Sequence, residues 1–179
     1  FSSNQTFKEG LSQFSSFSKN VPKDILLLGG EANAMYLTSS IQRMREIIPS
    51  AYLIAILREP VARAYSAYTY AVERLMEYRT FEVAINEELR GIAYDENDAL
   101  QRDYLKHGHY AQQLREVYQH FPRDHVKIIF FEKLTANPAI ELKTIFEFLG
   151  ITNDFIPNLN IRNETKGSYR SKWLTKLTY

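Results

Sequence analysis

Two short stretches place charged side chains where an apolar run ends. In Leu53-Ile-Ala-Ile-Leu-Arg-Glu-Pro-Val-Ala-Arg-Ala-Tyr-Ser66 the run stops at Arg58. In Ile25-Leu-Leu-Leu-Gly-Gly-Glu31 it stops at a glycine pair followed by Glu31. A guanidinium is always charged and offers a planar fork of donors that matches a phosphate, each charge-assisted bond contributing about 1.5–3 kcal/mol. A carboxylate just past a buried strand lies at the edge of a sheet where ligands bind, and it also suits capping of a helix N-terminus, where it contributes about 0.3–1 kcal/mol. The chain has no cysteine, which excludes disulfides, thiolate nucleophiles and cysteine zinc sites. Its histidines, His107, His109, His120 and His125, show no metal-ligand spacing with nearby carboxylates, and His107-Gly-His109 reads as a loop pair.

These residues need a scaffold, and the patterning predicts one. Ala51 to Leu57 is the length of a buried strand. Pro60 suits the first turn of a helix, since its missing N–H is not needed there. Val61, Tyr65, Tyr68 and Val72 then recur at helical spacing. Upstream, Ile25 to Leu28 reads as a second strand, and Gly29-Gly30 permits a sharp turn. Between the two strands a helix starts at Thr38-Ser-Ser, is lined by Ile41, Met44, Ile47 and Ile48, and stops at Pro49-Ser50. Strand, helix, strand implies parallel strands joined by a right-handed crossover. Arg58 and Glu31 then share the carboxyl edge of the sheet, where open α/β sheets bind anions and nucleotides.

Downstream the pattern predicts a helix over Phe81 to Leu89, an acidic loop over Gly91 to Asp98, and a short helix over Ala99 to Leu105. A helix over His109 to His120 follows, with Tyr110, Leu114, Val117 and Tyr118 inward. Val126 to Phe131 reads as a third strand. After Asn137-Pro138 comes a helix containing Leu142, Ile145, Phe146, Phe148 and Leu149, capped by Gly150. At the start of the chain, Phe7, Leu11, Phe14 and Phe17 have roughly helical spacing.

The 179 residues suffice for one domain with a core; 45% are hydrophobic and 24% charged, as in an ordinary globular protein. A net charge of +1 gives no global field toward nucleic acid or a membrane surface. No apolar run approaches the roughly 18 residues needed to span a bilayer.

Several of these stretches resemble the sulfotransferases, in order and at family-like distances, over about residues 1–175. Arg58, Pro60 and Arg63-Ala-Tyr-Ser66 look like the family's 3′-phosphate-binding segment, which implies that Arg58 and Ser66 hold the 3′-phosphate of 3′-phosphoadenosine 5′-phosphosulfate (PAPS). Gly30-Glu31-Ala32-Asn33-Ala34-Met35-Tyr36 resembles the Gly-Glu-x-Ser-x-x-Tyr segment of heparan-type and bacterial members. That match implies Glu31 as the general base that deprotonates the acceptor. It departs from the family at Ala32 and Asn33, where Lys and Ser are common. Leu105-Lys-His-Gly108-His-Tyr110 is similar to a family turn, with Lys106 and His107 placed toward the acceptor. Phe131-Glu-Lys-Leu and Phe148-Leu-Gly150 also follow the pattern and carry no assigned chemistry. A Gly-rich basic loop in the family closes over the 3′-phosphate and adenosine; here Lys166, Gly167 and Arg170 stand in its place.

The resemblance implies a three-layer α/β/α fold with a central parallel sheet, like the P-loop kinases, and PAPS as donor with no metal. It leaves a small-molecule, carbohydrate or lipid acceptor open, with no nucleic acid partner and no membrane span. The expected compartment is the cytoplasm, or the Golgi lumen in a eukaryotic source. The family's 5′-phosphosulfate loop has no counterpart here, since no Lys-Thr follows Gly29-Gly30. The expectation is therefore one sulfotransferase domain over residues 1–179 whose first strand and loop, about 30 residues or more, lie upstream.

Plainer readings stand beside each assignment. Arg58 pairs with a carboxylate such as Glu59, Ser66 is a helix-surface hydroxyl, Glu31 caps a helix, and Lys166 to Arg170 belong to a C-terminal tail. For the whole chain the alternatives are a non-enzymatic nucleotide-phosphate-binding domain and a relative of the P-loop nucleotide kinases. The latter calls for a magnesium-binding acidic strand end and lid arginines.

Overall fold

The structure is a computed structural model that describes residues 29–30, 34–36, 38–92 and 103–152. Among the described residues the α-helices are α1 (Thr38–Ile47), α2 (Pro60–Glu73), α3 (Phe81–Leu89), α4 (Tyr110–His120), α5 (Phe131–Ala136) and α6 (Pro138–Leu149). The strands among the described residues, β1 (Leu53–Leu57) after α1 and β2 (Val126–Phe130) after α4, pair with one another. The class is the α/β one expected. By contacts the chain divides into two units, Phe1–Ala55 with His109–Lys127 and Ile56–Gly108 with Ile128–Tyr179.

In the first unit, α1 and α4 build a small core. Ile41, Val117, Phe121 and Val126 are buried together, with Met35, Met44, Ala51, Leu53 and Tyr118 packed against them. Ile41 and Met44 are three apart, so they fall on one face of α1 as the spacing predicts. Burying a side chain such as Ile41 stabilises by about 1.5–3 kcal/mol. The turn Pro49-Ser50 ends the helix as expected.

In the second unit the core lies where α2, α3 and Tyr104 meet. Ala64, Ala84 and Tyr104 are essentially buried, and Ala67, Tyr68, Phe81 and Ile85 surround them. This corrects the helical face expected for α2. Tyr68 does pack inward, but Val61 is 68% exposed and Tyr65 54% exposed. The buried stripe is Ala64 and Ala71, because methyl side chains let the neighbouring segments come close and leave the aromatics to fill the gaps. Phe81 meets the Tyr65 and Tyr68 rings edge-on, each at 5.2 Å.

The end of α2 is cut sharply. Leu75 takes a left-handed conformation (φ 57°), with its N–H on Val72 O (3.1 Å) and the Met76 N–H on Ala71 O (2.9 Å). Gly150 ends α6 with the same pair of bonds, to Glu147 O and from Ile151 to Phe146 O, at φ 66°. Two expectations shift. Phe131, expected as the last residue of the third strand, begins α5 instead, and Tyr104 and Leu105 form a turn rather than a helix end. The expected strand Ile25 to Leu28, the N-terminal segment and most of the acidic loop lie outside the described residues.

Candidate functional site

The carboxyl end of β1 is the best-defined part of the site. Arg58 follows the strand directly and is half-buried. Its guanidinium carbon sits 4.9 Å from the centre of the Phe131 ring, a cation–π arrangement that fixes the side chain without occupying its N–H fork. Among the described residues Arg58 makes no ion pair within 4 Å, so the plainer reading, a pair with Glu59, is not what the structure shows. Glu59 instead caps α2: its carboxylate accepts from Val61 N (3.0 Å) and Ala62 N (2.6 Å).

That cap changes the expected electrostatics. The first N–H groups of α2 are the ones an anion at the strand edge would use. Here Pro60 has none, Val61 and Ala62 give theirs to the Glu59 side chain, and Arg63 gives its own to Glu59 O (2.8 Å). An anion at this edge is therefore left to side chains. Glu59's own N–H donates to Glu132 Oε1 (2.9 Å), at the start of α5. The Glu132 carboxyl is held below the usual carboxylate range by that bond first, by its own backbone N–H, and less by the nearby Arg58 charge.

Ser66 lies in the second turn of α2 and is half-buried; among the described residues its hydroxyl has no partner. Arg58 and Ser66 thus supply one cation and one neutral donor on consecutive elements, a donor set that fits a phosphate group. Glu31, Lys166, Gly167 and Arg170 lie outside the described residues.

The other charged residues of the motif turn inward. Arg63 Nη1 donates to Tyr104 O (3.0 Å) and Asp103 O (3.4 Å), and Nη2 lies 3.1 Å from His107 Nδ1. His107 is buried, and Lys106 pairs with Asp103 at 3.1 Å. Burial first, then the Arg63 charge, pushes the His107 imidazole down to about 4. Gly108 closes this turn against the start of α2: a Cβ there would lie 3.3 Å from Pro60 Cβ. Glu88 accepts from the Leu105 and Lys106 N–H groups (3.0 and 2.9 Å), which secures the turn from α3.

A second buried group was not legible from the sequence. Glu77, 4% exposed, takes bonds from Arg79 Nε (2.8 Å) and the Tyr104 hydroxyl (2.9 Å), and Arg79 also pairs with Glu87. Burial pushes the Glu77 carboxyl up, but the Arg79 and Tyr104 hydrogen bonds and the Arg79 charge outweigh it and hold it at about 2. A shallow depression on α4, lined by Leu114, Arg115, Tyr118 and Arg123 among others, contains none of the residues singled out in the sequence. Among the described residues no three His, Asp or Glu cluster closely enough to hold a metal, and no helix is long and apolar enough to cross a membrane.

A family model described as the sulfotransferase domain matches residues 34–179. Among curated proteins, the chain is 30% identical over 116 residues to heparan sulfate glucosamine 3-O-sulfotransferase 3B1 of Mus musculus, covering 64% of this chain and 28% of that protein. It is 26% identical over 161 residues to bifunctional heparan sulfate N-deacetylase/N-sulfotransferase 2 of Homo sapiens, covering 85% of this chain and 18% of that protein. The chain thus spans well under a third of the length of these curated relatives. A crystal structure of a sulfotransferase from Alicyclobacillus acidocaldarius superposes with a TM-score of 0.73 at 25% identity, covering 93% of this chain and 66% of that one.

Proposed function

The chain belongs to the sulfotransferase domain family, and we infer from this that it moves a sulfuryl group from PAPS to a hydroxyl or amine on a carbohydrate. The observation that carries the reading is Arg58: a cation at the carboxyl end of β1, steadied by an aromatic ring and unpaired among the described residues. The carbohydrate acceptor is suggested by relatives named as a heparan sulfate glucosamine 3-O-sulfotransferase and a heparan sulfate N-deacetylase/N-sulfotransferase.

PAPS supplies the activated sulfuryl group when bound. Arg58 binds the donor's 3′-phosphate through its guanidinium fork, and Ser66 adds a hydroxyl donor. With the nucleotide anchored at that end, its reactive end is held in position, which removes much of the entropy cost of bringing donor and acceptor together. Glu31 takes the proton from the acceptor, a role that contributes about 10²–10⁴-fold in enzymes generally. Lys166, Gly167 and Arg170 close over the 3′-phosphate and the adenosine.

Calorimetry with adenosine 3′,5′-bisphosphate, together with radiolabelled sulfate transfer from PAPS to glucosamine-containing oligosaccharides, tests the reading. Binding that Arg58→Ala weakens, and transfer that Glu31→Gln abolishes without loss of binding, support it. Binding without any transfer would instead favour the non-enzymatic phosphate-binding domain, and no binding at all would overturn both.

A further inference from the structure

We propose that Phe131 and Glu132 are positioning residues for Arg58, and that the first turn of α5 sets how its guanidinium meets the 3′-phosphate. The inference rests on the donor-site reading above and adds two residues to it.

The argument begins with a peptide plane. The Glu59 N–H belongs to the same planar unit as the Arg58 carbonyl. Its bond to Glu132 Oε1 at 2.9 Å therefore fixes the orientation of the peptide that follows Arg58, and with it the Arg58 ψ angle. That angle governs the path of the chain from strand into helix, and so the frame from which the side chain projects. At the other end of the same side chain, the Phe131 ring lies 4.9 Å from the guanidinium carbon. Two successive residues of α5 thus hold Arg58 at its backbone and at its tip.

The placement follows from sheet order. β1 and β2 are neighbours, and α5 begins immediately where β2 ends, so its first residues lie beside the end of β1. Neither residue competes for the phosphate. The ring has no hydrogen-bonding group, and Glu132 makes no ion pair with Arg58 within 4 Å. A free, long arginine side chain loses rotamer entropy when it binds, and holding it beforehand reduces that loss.

The test compares adenosine 3′,5′-bisphosphate with adenosine 5′-phosphate by calorimetry on the full chain. The affinity ratio isolates the 3′-phosphate, because general damage to the fold weakens both ligands together. Glu132→Ala should reduce that ratio roughly fivefold or more, Phe131→Leu should reduce it in the same direction, and Glu132→Gln, which keeps a carbonyl acceptor, should restore most of it. In an Arg58→Ala background Glu132→Ala should change the ratio no further. A ratio that falls with Arg58→Ala but is untouched by Glu132→Ala and Phe131→Leu overturns the positioning role and leaves the donor site standing. A wild-type chain that does not prefer the 3′-phosphorylated ligand overturns the donor site itself, and this inference with it. Thermal melts of each variant identify any that fail to fold, and Phe131→Leu then carries the comparison.

Discussion

Arg63 Nη2 and His107 Nδ1 lie 3.1 Å apart, although 44 residues separate them in the chain. A guanidinium can only donate, so Nδ1 must accept, and the imidazole is neutral with its proton on Nε2. The same guanidinium reaches the carbonyls of Asp103 and Tyr104. Of the two arginines between Leu53 and Ser66, one therefore serves the fold by closing the Asp103–Gly108 turn onto α2. That division leaves Arg58 as the cation at the strand end.

The His107 imidazole should titrate near 4, well below its ordinary 6.5, when followed by NMR. The sign of the consequence is fixed. Between pH 6.5 and 4 the unfolded chain binds the proton and the folded one does not, so this contribution to stability is complete above 6.5 and is lost as pH falls through that window. His107→Gln should remove that part of the slope. Arg63→Ala strands buried acceptors and should cost about 1–3 kcal/mol in urea denaturation.

Glu77 predicts a second, lower acid transition. Its folded value of about 2 lies below the ordinary 4.5, so the stability it contributes is present above 4.5 and is lost as pH falls toward 2. Melting temperature measured across that range should drop less steeply in Glu77→Gln than in the wild-type chain. Equal slopes would show that Arg79 and Tyr104 do not favour the charged form.

At the candidate donor site, Arg58→Ala should weaken adenosine 3′,5′-bisphosphate by about tenfold or more, about 1.4 kcal/mol. Arg58→Lys should recover only part of this, because an ammonium keeps the charge but loses the planar fork. Binding by Lys equal to Arg would mean that charge alone is recognised. Neither variant should shift the melting temperature much, as Arg58 makes no ion pair among the described residues.

Leu75 offers a check on the backbone. It holds a left-handed conformation with its side chain 63% exposed, so little burial offsets the steric cost. Such residues carry about 1–3 kcal/mol of strain, while glycine costs up to about 1 kcal/mol more in unfolded-state entropy. Leu75→Gly should therefore raise stability slightly in chemical denaturation.

The sequence by itself determined the local grammar of this protein. An apolar run of strand length, a proline at the first helical position, periodic residues over 81–89 and a glycine at position 150 locate β1, α2, α3 and the end of α6, because those signals act between neighbours in the chain. They also place Arg58 at a strand end. What they could not tell is which charged residues of the same stretch turn inward. Arg63 meets His107, Glu77 meets Tyr104 and Glu59 meets Glu132 across 44, 27 and 73 residues. Periodicity favoured Val61 and Tyr65 for the core of α2 because they are large and apolar, yet Ala64 and Ala71 are buried instead. Only close packing decides that, since a small side chain is preferred where another segment must approach and Tyr104 must be accommodated. Local pattern fixes which residues form an element; long-range contact decides which of them are spent on the fold and which remain for chemistry.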